Sequence, residues 1–131
     1  MLGGRRIDPL ARQAALTLAA GRVGIGASAL LATRPALRAL GFGDAGPRAR
    51  ALAKLAGSRD LALGLLTVAS RDDRRALPTL VLAGAVLDSA DALALAISAA
   101  EPKTRAAGLL GSASGAAAAL AGAWAWARMR D

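Results

Sequence analysis

Five charged residues with the chemistry to hold an ion, a proton or a polar ligand lie near the middle of stretches that are otherwise apolar enough to cross a bilayer. They are Arg22, Arg59, Asp60, Asp88 and Asp91. A charged side chain at the centre of a membrane helix costs roughly 2.5 to 3.5 kcal/mol on insertion scales. We therefore expect these charges to pair inside a helical bundle or to serve a function there.

The spacing of the five charges predicts that they meet. Asp88 and Asp91 are neighbours at i and i+3 on one helix face. All except Asp91 fall within about two residues of the centre of their segment, and at a rise of 1.5 Å per residue they share a layer roughly 6 Å thick. We expect Arg22 to bridge to the helix of Asp88. Arg59 points about 100° away from Asp60 around their helix, so we expect no pairing between these two.

The charges in this layer do not balance, because two arginines face three aspartates. We expect the carboxylate left over to be protonated, or to contact a bound cation or a water molecule. Two interpretations of the layer stay open. It is either a set of structural ion pairs that fixes helix register, or a site for a polar ligand, an ion or a proton.

The elements that must position these charges are long apolar helices. The sequence predicts one all-α domain over residues 1–131, an up-down-up-down four-helix transmembrane bundle with helices at about 10–32, 51–70, 76–100 and 106–127. The last of these has no charge in 22 residues, and about 20 are enough to span the hydrocarbon. Short links between the later helices imply antiparallel neighbours. Before the second helix we predict one helical turn at residues 36–40.

Small residues at steps of three and four predict the faces on which these helices pack, because they let two backbones approach closely. The glycines in these stripes are Gly57, Gly64, Gly84, Gly108, Gly111, Gly115 and Gly122. Trp124 and Trp126 are followed by two arginines, a pattern typical of anchors at the membrane interface.

The composition excludes several classes of function. The chain has no cysteine and no histidine, which excludes disulfides, thiol chemistry and the common zinc sites. We expect no catalytic residues, no metal and no cofactor, and therefore no enzyme. The net charge is +8, but the basic residues flank apolar segments without the interleaved aromatics that stack on bases. We expect the lipid bilayer as a partner and no nucleic acid.

Several short stretches resemble one family of membrane proteins. They are Arg22-Val23-Gly24, Pro35, Leu40-Gly41, the run from Gly57 to Gly64, and the run from Leu87 to Ala92. Together they resemble the small DoxX-like four-helix membrane proteins of unknown function that are common in high-GC bacteria. The resemblance implies an integral membrane bundle and brings no established activity. The cysteine-based redox chemistry suggested for some DoxX-like proteins has no residue to carry it here.

These features predict a multi-pass protein of the bacterial inner membrane. Eight basic residues, among them Arg5, lie at the N-terminus, the second connection and the C-terminus, against seven on the other side. From this excess of one we predict, by the positive-inside rule, that both termini are cytoplasmic. The expected function is that of an accessory or interaction module, packed against a second copy or a larger membrane protein. The alternatives are binding or transport of a small molecule, an ion or a proton through the charged layer, and a soluble four-helix bundle.

Overall fold

The computed structural model describes residues 6–130, which form five α-helices. These are α1 (Pro9–Leu31), α2 (Thr33–Ala39), α3 (Pro47–Ala69), α4 (Ala76–Ser98) and α5 (Arg105–Arg130). Arg5, which entered the prediction of orientation, lies outside the described residues.

The prediction of a four-helix transmembrane bundle is wrong. The described chain has five helices, and three of them, α1, α4 and α5, are long and apolar enough to cross a membrane. The long helix α3 is not a candidate span, because Lys54, Arg59 and Asp60 fall within any membrane-length stretch of it. The prediction counts α3 as a span despite Arg59 and Asp60, but Lys54 is a third charged residue in the same stretch.

The fifth helix is α2, which replaces the single turn predicted at residues 36–40. A continuous helix through this region would drive the ring of Pro35 into the carbonyl of Leu31. The chain instead breaks at Ala32 and restarts, so that Pro35 lies in the first turn of α2, where a missing N–H is tolerated. A proline also sets the start of α3, which begins at Pro47, four residues earlier than predicted.

The closest packing joins α1 to α3 and α4 to α5. α1 and α3 are antiparallel: Gly26 lies against Gly57, and further along the pair Ala19 lies against Gly64. All seven glycines that the sequence singled out lie at contacts between helices. A Cβ atom added to any of them would come within 3.1 Å of an atom on another helix.

The buried core is built from small side chains. Its main cluster contains Ala11, Ala15, Leu77, Val81 and Ala125, so it joins α1, α4 and α5. Within residues 6–130, Leu77 is the one large side chain that is fully buried. Stability must therefore depend on close backbone approach more than on burial of bulky groups, as in membrane bundles.

The exterior is apolar. Among residues 6–130, sixteen large apolar side chains are exposed. In an 18-residue stretch of each of the three candidate spans, 22%, 22% and 17% of the residues are buried. Soluble proteins rarely leave so large an apolar surface in contact with water. The alternative of a soluble four-helix bundle is therefore not favoured, and the helices are compatible with a small membrane protein.

Asp8 caps α1 and ties it to α5. Its Oδ1 accepts hydrogen bonds from the backbone N–H of Leu10 and Ala11 at 2.9 and 3.3 Å, and its Oδ2 lies 2.8 Å from Nη2 of Arg128. The backbone N–H of Ala11, followed by that of Leu10 and by Arg128, holds the pKa of Asp8 below its ordinary value of 3.8. The ionised carboxylate thus stabilises the start of α1.

We expect Asp8→Ala to lower the unfolding midpoint by a few degrees at pH 7, because it removes the cap and the contact with Arg128. Since the folded pKa is lowered, the contribution of Asp8 is complete above the unfolded pKa of 3.8 and is lost as the pH falls through the lower, folded value. Thermal unfolding of both proteins in detergent between pH 7 and pH 3 checks this. A gap between the two midpoints that stays constant across that range would contradict it.

Candidate functional site

Arg22 is the centre of the charged layer. Its Nη2 donates to Oδ2 of Asp88 at 2.5 Å and to the carbonyl of Gly84 at 2.9 Å, and its Nη1 lies 3.3 Å from Oδ1 of Asp60. Gly84 makes room for this guanidinium, because a Cβ there would lie 2.9 Å from Nη2. One arginine on α1 therefore joins α3 and α4.

Arg59 completes the layer from α3. Its Nη2 donates to Oδ2 of Asp91 at 2.6 Å, and its Nη1 lies 3.3 Å from Oδ1 of the same carboxylate. The prediction that Arg59 and Asp60 do not pair is wrong, since Nη2 also lies 3.4 Å from Oδ1 of Asp60. The long side chain reaches round the helix, so the 100° between the two Cα positions does not separate the charged groups.

The structure therefore brings all five predicted residues into one network, which we call the central network. Asp88 and Asp91 each accept one short hydrogen bond from an arginine. Asp60 lies between the two arginines and contacts both at 3.3 and 3.4 Å through the same oxygen, Oδ1. The most weakly held carboxylate, and the one left over in the count of charges, is Asp60.

The space beside the central network is small. A cavity of about 20 Å³ lies against Arg22, Gly84 and Asp88. That volume holds a single water molecule and no larger ligand. Among residues 6–130, no group of three acidic, cysteine or histidine side chains is arranged to hold a metal ion.

The central network is covered unevenly. The side chains of Arg22, Asp60 and Asp88 are 11%, 15% and 14% exposed, whereas those of Arg59 and Asp91 are 34% and 40% exposed. The exposed pair lies between α3 and α4, which pack together less closely than α1 with α3. Nε of Arg59 is buried there and has no hydrogen-bond partner within the described chain. The network thus opens to the exterior on the α3/α4 side.

The two tryptophans predicted as interfacial anchors lie in different surroundings. Trp124 is 47% exposed on α5. Trp126 is half-buried and packs against the core cluster, and the guanidinium carbon of Arg130 lies 4.6 Å from its ring centroid. Trp124 is the one of the two with an exposed ring available to the membrane interface.

A second polar feature, not predicted from the sequence, is a cleft lined by Arg34, Arg38, Asp44 and Arg50 at the end of the bundle formed by α2 and the start of α3. These residues come from two helices and the loop between them. Only the fold brings them together, so neither spacing nor composition indicated the cleft.

A comparison with protein families places the chain. The model of the domain of unknown function DUF4267 matches residues 19–127, which include the whole central network and all seven packing glycines. No model of a DoxX family matches, so the predicted resemblance to DoxX-like proteins is not supported. No curated protein and no solved structure matches the chain. The match covers most of the sequence, and the chain therefore belongs to the DUF4267 family.

Proposed function

We propose that this DUF4267 protein is a small integral membrane interaction module, in which the central network holds the helices together and presents a polar contact to a partner chain. The observation that carries the proposal is the geometry of the network itself. Its three inner side chains are paired and nearly covered, while the Arg59–Asp91 pair remains open on an apolar exterior.

The inner part of the network favours a structural role. Arg22 bonds to groups on α3 and α4 at once, and the adjacent space holds one water molecule. A pathway for a solute would need a polar cavity that opens to one side at the depth of Asp88. Buried ion pairs are costly to form, but they penalise every register in which the charges fail to meet. Specific helix packing is the role that this arrangement supports.

The outer part favours contact with another chain. Asp91 lies within the candidate span α4, four residues from its middle, which is about 6 Å along the axis. Where α4 spans the membrane, a half-exposed ion pair at this depth borders hydrocarbon, which does not solvate it. A partner that carries complementary charges would cover the pair and remove that cost.

We propose a second copy of this chain as that partner. The Arg59–Asp91 pair contains both signs of charge, so a two-fold axis beside it would bring each arginine to the aspartate of the other copy. Exposed alanines lie next to the pair along the two helices, namely Ala62 three residues after Arg59, Ala90 directly before Asp91 and Ala94 three residues after it; they are small enough to let two backbones approach. The face is therefore self-complementary in charge and open in shape.

The absence of native cysteine makes cross-linking a direct test. We expect Ala62→Cys or Ala94→Cys, in native membranes under mild oxidation, to give a disulfide-linked dimer in good yield, because both positions border the Arg59–Asp91 pair. Leu120→Cys is the matched control, since Leu120 is 72% exposed on α5. Equal cross-linking at all three positions would show random collision and contradict the dimer. Cross-links from the two alanine positions to a different protein would contradict the second copy and keep the interaction role.

One observation favours binding of a proton as an alternative function. Three carboxylates share two guanidinium groups, and Oδ2 of Asp60 accepts no hydrogen bond from the described residues. Asp60 is thus the carboxylate of the network with one oxygen left without a partner among the described residues. Proton uptake by liposomes that contain the purified protein, lost on Asp60→Asn, would favour this alternative over a purely structural network.

A further inference from the structure

The arginine-lined cleft lies apart from the central network, at the end of the molecule where α1 ends and α3 begins. Its volume is about 330 Å³, and it is lined by the three arginines Arg34, Arg38 and Arg50 together with Asp44. Ligand sites in proteins begin at about this size. The cleft is therefore large enough for a small charged group, unlike the cavity beside the central network.

The charges in the cleft leave it positive. Arg38 donates from Nε and Nη2 to Oδ1 of Asp44 at 3.1 and 2.6 Å, so these two charges compensate each other. Nη1 of Arg50 donates to the carbonyl of Ala45 at 2.8 Å, which orients the guanidinium without neutralising it. Arg34 makes no hydrogen bond and no ion pair within residues 6–130. Three arginines thus line the cleft against one aspartate, Asp44, on which both Arg38 and Arg34 act, so the cleft keeps an excess of positive charge.

The backbone adds to this positive charge. α3 begins at the cleft with Gly46 as its N-cap, and no side chain caps the helix. The free N–H groups of the first turn carry the positive end of the helix dipole, which attracts oxyanions. Guanidinium groups are the preferred side-chain ligands for phosphate, because their forked N–H groups match its oxygen atoms. The ligand chemistry that fits the cleft is a phosphate group.

The surroundings of the cleft indicate where such a phosphate comes from. The cleft follows directly on the candidate span α1, so it lies at the level where lipid head groups begin. Leu31, Leu40 and Leu52 lie two or three residues from its arginines and are 88%, 58% and 66% exposed. A free phosphate ion gains nothing from exposed leucines on the neighbouring turns, whereas the acyl chains of a lipid do.

We propose that this cleft binds the phosphate of an anionic phospholipid. Arg34 and Arg50 contact the phosphate oxygens, Asp44 holds Arg38 in place beside them, and the leucines contact the acyl chains. The site does not depend on the dimer proposed above, because it uses none of the residues of the α3/α4 face.

Lipid binding by the purified full chain in detergent tests the proposal, with phosphatidylglycerol as the probe and phosphatidylcholine for comparison. We expect phosphatidylglycerol to raise the unfolding midpoint and phosphatidylcholine to have little effect. Arg34→Gln should weaken phosphatidylglycerol binding about fivefold, the effect of one basic residue at a lipid surface. Arg34 makes no hydrogen bond or ion pair within the described chain, so this variant should fold normally. Arg48→Gln is the matched control, because Arg48 is exposed on the same turn of α3 but does not line the cleft.

Three results would overturn the proposal. Equal stabilisation by both lipids would show that the cleft does not distinguish an anionic head group from a neutral one. An equal loss of binding in Arg34→Gln and Arg48→Gln would show diffuse attraction between a basic surface and an anionic lipid. Stabilisation by inorganic phosphate as strong as that by phosphatidylglycerol would show a site for free phosphate and not for a lipid.

Discussion

Arg22→Met is expected to lower the free energy of unfolding by about 3 kcal/mol or more, the usual cost of removing one partner of a buried ion pair. Methionine keeps much of the length and apolar character of the side chain, so the loss comes from the charge. Asp88 loses its short ion pair and Asp60 loses one of its two contacts, and these side chains are only 14% and 15% exposed in the natural protein. Unfolding in detergent micelles, followed by circular dichroism, measures the effect.

Arg12→Met is the control for this prediction. Arg12 also lies on α1 and pairs with Asp72 at 2.5 Å, but the two side chains are 38% and 73% exposed. Water screens such a pair, and we expect a loss of less than about 1 kcal/mol. Equal losses for the two variants would mean that burial does not distinguish the central network from an ion pair at the surface.

The second large effect is expected for Gly26→Ala, which should destabilise the protein by about 3 kcal/mol through overpacking. The added Cβ would lie 2.5 Å from the carbonyl oxygen of Gly57 and 2.6 Å from the backbone nitrogen of Leu61. Both contacts are with backbone atoms of α3, which cannot rotate away as a side chain can. The two helices must move apart, and the displacement also disturbs the contact between Arg22 and Asp60.

Gly21→Ala provides the matched control on the same helix. Nothing lies within 4 Å of a Cβ added at Gly21. Alanine is the better helix former by about 0.5 to 1 kcal/mol, so this variant should be as stable as the natural protein or slightly more stable. Unfolding of both variants under identical detergent conditions checks the pair. A Gly26→Ala variant as stable as Gly21→Ala would show that α1 and α3 do not pack as described.

Much of the candidate site could be predicted from the sequence, because its signals are local. Helical spacing placed Asp88 and Asp91 on one face, and the fixed rise per residue placed Arg22 and Asp60 at one depth. The small-residue stripes were equally visible, since a glycine every three or four residues has few other uses in a long helix. These inferences need no knowledge of which helix packs against which.

The features that the sequence predicts wrongly or not at all depend on the three-dimensional fold or on how far a side chain extends. The contact between Arg59 and Asp60 requires a long side chain to curve round its own helix. The prediction for α3 begins at residue 51, although a proline in the first turn, here Pro47, is also a start signal. The arginine-lined cleft combines residues from α2, the loop and α3, and such a combination has no fixed spacing in sequence.

The division of the central network into a covered part and an exposed part links its two proposed roles. Arg22 fixes α1 against α3 and α4, so Arg59 and Asp91 are held in place on the outer surface. A partner that binds this pair meets side chains already oriented, which reduces the entropy lost on association. Loss of Arg22 should therefore weaken the dimer as well as the fold.

A double-mutant cycle on Arg22 and Asp88 tests most directly whether the central network is structural. Arg22→Met, Asp88→Leu and the double variant are compared with the natural protein by unfolding in the same detergent. Each single change leaves a charge without its partner, whereas the double change removes both, so we predict that the double variant is more stable than the sum of the single losses implies, by about 2 kcal/mol. Losses that add to within about 0.5 kcal/mol would show that the two residues act independently and would contradict a structural network.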